Sequence, residues 1–192
     1  MDMSHPEENP WRIVCSKPVY ENPWIRVTEY DVVNPSGNPG IYGKVHFKNH
    51  AVGVVPMDEQ GCIWLVGQYR FTLDAYSWEI PEGGCPIGMS TEEAAMRELR
   101  EETGIVAERL EKLFEMHLSN SVSDEWAVTY LATGLNMGPA SPEETESLRL
   151  RRLPLEEAYR MVFDGTITDS MSVAAIQALW IRRLGKTTAD HV

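Results

Sequence analysis

The segment Gly83–Ile105 constrains this chain more than any other. A glycine- and proline-rich stretch, residues 81–88, leads into residues 91–103, which are mostly strong helix formers. Ser90 and Glu93 have capping-box spacing at the start of that helix, and Gly104 supplies its stop. At about 100° per residue, Glu98, Glu101 and Glu102 fall within about 100° of arc on one helix face. Like charges so close repel one another, and a helix tolerates them best with cations among them. Hard divalent ions such as Mg²⁺ prefer carboxylate oxygens and are commonly shared with substrate phosphates. Arg97, one position earlier, can orient a carboxylate through a forked hydrogen bond. Gly83 and Gly84 let backbone approach a phosphate, and a helix N-terminus favours anions. The competing interpretation is a solvated charged face held by i,i+3 and i,i+4 pairs.

Around this helix the pattern is mixed. Strand-like runs at 12–15, 24–33, 43–48, 51–56 and 62–69 are separated by Asn-Pro, Pro-Ser-Gly and Asp-Glu-Gln-Gly turn signals. After the helix come strands at 110–118, 126–131 and 148–153, then helices at 155–164 and 170–184, stopped by Gly165 and Gly185. Residues 1–10 are polar and read as loose. The order predicts an α/β or α+β fold, with an N-terminal β extension over 1–50 and the main domain over 51–192. A chain of 192 residues is long enough to bury a core of its own.

The net charge of -12 disfavours a nucleic-acid partner, which requires a basic surface. Polyphosphates remain accessible to an acidic protein when divalent cations bridge the two sets of charge. Cys15, Cys62 and Cys85 are odd in number and widely spaced, which suits reduced thiols in a cytoplasm. The N-terminus has no secretory pattern, and no apolar run approaches the ~18 residues a membrane span needs, so no membrane partner is expected.

The spacing of the acidic segment resembles the signature of the Nudix hydrolase family: Gly, five residues, Glu, seven residues, then Arg-Glu-aliphatic-x-Glu-Glu-x-Gly-aliphatic. Gly83, Arg97, Glu98, Leu99, Glu101, Glu102, Gly104 and Ile105 all match. Met89 departs, standing where the family usually has its first glutamate. A thioether is a weak ligand for a hard cation, and Glu82 or Glu79, flanking the loop, could supply a substitute carboxylate. The resemblance implies a Nudix fold, a mixed β-sheet sandwiched between helices. It also implies metal-dependent hydrolysis of a nucleoside diphosphate linked to another moiety, with Mg²⁺ or Mn²⁺ held by Glu98, Glu101, Glu102 and Glu82. Arg97 would be the orienting residue.

Segments outside the signature narrow the resemblance. Gln68-Tyr69-Arg70 and Trp78-Glu79-Ile80-Pro81 resemble the ADP-ribose and nucleotide-sugar pyrophosphatase branch, as does Tyr20-Glu-Asn-Pro-Trp24. In that branch the N-terminal strands help build a homodimer with the substrate lying partly across it. The resemblance makes Arg70 a phosphate or ribose contact and adds Glu79, Gly83 and Gly84 to the substrate-binding set. Aligned back from Ala158-Tyr159, Glu146 falls where these enzymes place a further catalytic acid, with Glu143 and Glu144 as neighbours that could serve instead. GDP-mannose, dinucleoside polyphosphates, nucleoside triphosphates or a non-catalytic sensing role are the alternatives. Trp11, Trp24 and Trp126 could stack a base, although burial in the core is the commoner role for such residues. His46, His50 and His117 lack metal-ligand spacing and read as structural.

Overall fold

The structure is a computed structural model that describes residues 8–138 and 148–189, with side chains to residue 185. The chain divides into two compact units, residues 1–48 with 119–125, and residues 49–118 with 126–192.

The first unit is an antiparallel sheet of β1 (Arg12–Glu21), β2 (Ile25–Val33) and β3 (Pro39–Phe47), in that order. Asparagines build both turns. Asn22 Oδ1 accepts from the amides of Trp24 and Ile25, and Asn34 Oδ1 from those of Ser36 and Asn38. Every residue of β1 is exposed, including Ile13, Val14, Val19 and Tyr20. Asp124 closes onto β3 through Lys44, His46 and the amide of Phe47. Partial burial works against its ionisation, but those three donors outweigh it and hold its pKa at about 2.

The second unit carries two sheets. One is mixed, in the order β7 (Glu82–Pro86), β4 (Asn49–Pro56), β9 (Trp126–Met137), β8 (Ile105–His117), with β4 and β9 parallel. The other is antiparallel, in the order β10 (Arg149–Pro154), β5 (Cys62–Arg70), β6 (Ala75–Glu79). Strand alternation sends Val52 and Val54 of β4 to a core with Ala94, Ala95 and Leu99 of α1 (Thr91–Thr103). Val55 joins the opposite core, built with α2 (Leu155–Phe163) and α3 (Ser170–Ala189). The mixed sheet is therefore covered by helices on both faces, an α+β arrangement as the pattern implied.

Several element bounds differ from the sequence expectation. The stretch 81–88 is not all loop, because β7 pairs residue by residue with β4 from Gly53↔Glu82 to Asn49↔Pro86. Glycine and proline made it look irregular, but its amides find partners on a neighbouring strand. β8 begins at Ile105 rather than at 110, since alternating Glu108, Arg109, Glu111 and Lys112 mask a strand with one wet face. α3 passes through Gly185, where no left-handed conformation ends it.

Candidate active site

α1 sets the site. Ser90 caps it, its Oγ accepting from the amide of Glu93, and Gly104 ends it at φ 72° with its N–H on Arg100 O. The apolar face of α1 is anchored by Leu99, Ala94 and Ala95, all fully buried. That burial fixes the helix's rotation and turns Glu98 and Glu102 toward β7. Glu102 is 5% exposed, and its Oε2 accepts from the amide of Glu82 at 3.1 Å. Glu98 lies against Gly83, where any Cβ would come within 2.3 Å of its carboxyl carbon. Gly83 thus matches the motif for a steric reason: only a residue without a side chain leaves room for that carboxylate. Arg97 Nη2 ties the pair together, donating to Glu98 Oε1 at 2.7 Å and to Gly84 O at 2.8 Å. Glu101 is half-buried on the same helix.

The second wall comes from β5, β6 and the start of β7. Arg70 reaches across to two acids, with Nε 3.0 Å from both oxygens of Glu79 and Nη2 2.8 Å from Glu82 Oε1. Glu79, expected to face the substrate, is instead 2% exposed and held in the wall by that fork. Glu82 is largely buried. Burial, with the like charges of Asp169 and Glu79, raises its carboxyl well above the ordinary carboxylate range, and Arg70 offsets this only in part. Its Oε2 is buried and makes no hydrogen bond among the described residues.

Two residues of this region were missed from sequence. Asp169 caps α3, its Oδ2 accepting from the amide of Ser172 at 2.7 Å, and its charge acts on both Arg70 and Glu82. Ser172 is fully buried and its Oγ accepts from the amide of Ile80 at 2.9 Å, latching α3 to the link between β6, which carries Glu79, and β7, which carries Glu82. An aspartate before an apolar helical run is a capping signal, but nothing local places it beside acids 80–90 positions earlier. Met89 is exposed. Glu143, Glu144 and Glu146 lie outside the described residues.

The donor set of Glu82, Glu98, Glu101 and Glu102 is all carboxylate oxygen, and one buried oxygen of Glu82 has no hydrogen-bond partner among the described residues. That chemistry fits a hard divalent cation. Among the described residues no three acidic, histidine or cysteine side chains already converge at ligand spacing.

The NUDIX domain family matches residues 48–171, a span that contains Arg70, Glu79, Glu82, Arg97, Glu98, Glu101, Glu102 and Asp169. The chain belongs to the Nudix family. The nucleoside diphosphate sugar hydrolase N-terminal domain family matches residues 11–45, ahead of the Nudix domain. Among relatives, an ADP-ribose pyrophosphatase of Mycobacterium tuberculosis is 37% identical over 132 residues, 67% of this chain and 64% of that protein. An ADP-ribose pyrophosphatase of Bacillus subtilis is 29% identical over 175 residues, 89% of this chain and 93% of that one. A methanol dehydrogenase activator of Bacillus methanolicus is 30% identical over the same length and shares. The Nudix fold is shared with a solved structure described as an ADP compounds hydrolase, at TM-score 0.83 and 22% identity, covering 95% of this chain and 98% of that one.

Of the aromatic candidates, Trp126 packs on the α1-side core and edge-on to His50, whereas Trp11 and Trp24 are exposed. Trp11 still packs edge-on to Tyr42 of β3 at 5.4 Å, but neither it nor Trp24 is a core residue.

Proposed function

We propose that this Nudix protein hydrolyses the pyrophosphate of ADP-ribose or a related nucleoside diphosphate sugar, giving a nucleoside monophosphate and a sugar phosphate. One observation carries the reading: Glu98 and Glu102 of α1 face Gly83 and Glu82 of β7 with Arg97 tying helix to strand. Two relatives named ADP-ribose pyrophosphatase support the substrate class.

Glu82, Glu98, Glu101 and Glu102 would hold Mg²⁺, with Mn²⁺ suited to the same oxygens. Bound there, a divalent cation would lower the pKa of a water and draw charge off the pyrophosphate. The chain's own groups do the rest. Arg97 keeps Glu98 against Gly83, so that its carboxylate points at one place. A carboxylate of α1, or Glu146, which precedes β10 in the sequence, takes the proton of the attacking water. The water oxygen bonds to phosphorus as the bridging P–O bond breaks, and the leaving phosphate carries away the electron pair. Gly83 and Gly84 keep the β7 backbone open to a phosphate.

The exposed apolar side chains of β1, with Trp24 and Ile41, support the N-terminal sheet as a homodimer surface that brings substrate contacts from a second copy. Sedimentation of the intact chain as a monomer at micromolar concentration would end that part of the proposal. Three free thiols suit the cytoplasm, and among the described residues no helix is long and apolar enough to cross a membrane.

A panel of nucleotide sugars assayed with Mg²⁺ tests the whole. Turnover is expected with ADP-ribose or a close analogue, and Glu101→Gln and Glu102→Gln should abolish most of it. Turnover indifferent to both variants sinks the mechanism, and full kcat in Glu146→Gln removes that residue from it. Met89 at the family's first acidic position favours one second reading, a sensor. Tight binding of a nucleotide sugar without hydrolysis would establish it.

A further inference from the structure

Arg70 stands where two expectations meet, one making it a substrate contact and the other making Glu82 a cation ligand. The two side chains are bonded to each other. The guanidinium spends one edge on this. Nε donates to both oxygens of Glu79, and Nη2 donates to Glu79 Oε2 at 2.5 Å and to Glu82 Oε1 at 2.8 Å. Nη1 makes no hydrogen bond among the described residues, and the side chain keeps 35% of its surface exposed.

The three residues have different jobs. Glu79 is buried and grips the guanidinium through both oxygens, so it sets where Arg70 can be. Glu82 is the acid acted upon: one oxygen is held by Nη2, and the other is buried without a hydrogen-bond partner among the described residues. A carboxylate fixed by one oxygen and offering the other is how outer partners orient a metal ligand. Nη1 is the donor left over, on a side chain that is 35% exposed, and is the group a phosphate could take up.

We propose that Arg70 is a positioning residue that couples cation site to substrate site: anchored on Glu79, it aims Glu82 at the cation with one edge and offers Nη1 to a phosphate oxygen with the other. The inference rests on the reading of Glu82 as a cation ligand. It implies that cation and nucleotide each favour the other's binding through one guanidinium, a reciprocal coupling.

The test is Mn²⁺ titration without nucleotide, followed by AMP titration at saturating Mn²⁺. The proteins are wild type, Glu82→Gln, Arg70→Gln, Arg70→Lys and the Arg70→Gln/Glu82→Gln double variant. Glu82→Gln and Arg70→Gln should each weaken Mn²⁺ binding on the order of tenfold, the usual cost of removing an outer partner. The double variant should be no weaker than Glu82→Gln alone, because Arg70 acts only through that acid. Arg70→Lys keeps the charge but loses the fork, so it should behave like Arg70→Gln. It also carries the test if the glutamine variant does not fold. AMP should bind Arg70→Gln several-fold more weakly. Unchanged or tighter Mn²⁺ binding in both Arg70 variants, with Glu82→Gln weakened, overturns the positioning role. Unchanged AMP affinity overturns the substrate half. Wild-type Mn²⁺ affinity in Glu82→Gln overturns the underlying reading of Glu82, and the coupling with it.

Discussion

Replacing Gly83 by alanine probes the site at its tightest contact. The new Cβ would lie 2.3 Å from Glu98 Cδ and 2.5 and 2.6 Å from the two carboxylate oxygens. Ordinary contact is about 3.5 Å, so roughly an ångström must be found. The strand cannot supply it, because Gly83 is paired with Val52 in the β7–β4 ladder. The carboxylate must swing, since it is the far end of a flexible side chain with 15% of its surface exposed. The stability cost should therefore sit at the low end of overpacking, about 1 kcal/mol, or roughly 2–4 °C in Tm. Activity should suffer more. Swinging breaks the 2.7 Å bond from Arg97. An ångström's misplacement of a catalytic group costs on the order of 10²-fold in rate, about 2.7 kcal/mol of barrier. The assay is kcat/KM for ADP-ribose with Mg²⁺, with Tm measured beside it. Gly185→Ala is the control, because nothing lies within 4 Å of the Cβ it would add. That variant should stay within about twofold of wild type. A Gly83→Ala enzyme that also stays within about twofold would refute the claim that Glu98 must rest against Gly83 to work.

Three further outcomes follow from the packing and charge around the site and the N-terminal sheet. Ser172→Ala leaves the amide of Ile80 without its acceptor in a buried place. We expect a loss of about 1–3 kcal/mol in denaturant unfolding, and an unchanged midpoint would show that the latch does not matter. Leu99→Ala, at a fully buried position on α1, should cost about 2–5 kcal/mol and loosen Glu98 and Glu102 together, read as lower Tm and higher KM for Mg²⁺. Asp124 has its pKa held down at about 2 against an ordinary 3.8, so its stabilisation is present above about pH 4 and disappears as pH falls through 2. The shift corresponds to about 2.4 kcal/mol at most, and about half of that once solvent screening is allowed for, since the side chain is 30% exposed. Wild type should therefore be more stable than Asp124→Asn at pH 6, with the two converging near pH 2; a gap that stays constant over that range would refute the assignment.

What could be read directly from the chain was local. The helix Thr91–Thr103 follows from a capping serine, helix-forming residues and Gly104, all within reach of one another along the backbone. The relative placement of Arg97, Glu98 and Glu102 follows from helical periodicity, so the acid cluster was legible before any tertiary contact was known. The glycine at 83 was legible as a motif position, but its reason was not. Only packing shows that Glu98 fills the space where a Cβ would be. β7 was hidden for the same cause: a glycine-rich segment has little strand propensity of its own, and hydrogen bonds to β4 decide it. The Arg70–Glu79–Glu82 wall depends on β5 pairing with β6, which brings Arg70 opposite Ala75 and turns it back on acids 9 and 12 residues away. Ser172 and Ile80 meet across 92 residues. Interactions at that separation arise when the α3-side core closes, and no local pattern encodes them. By itself, then, the sequence determined the helix and its acids, while tertiary structure decided what aims them.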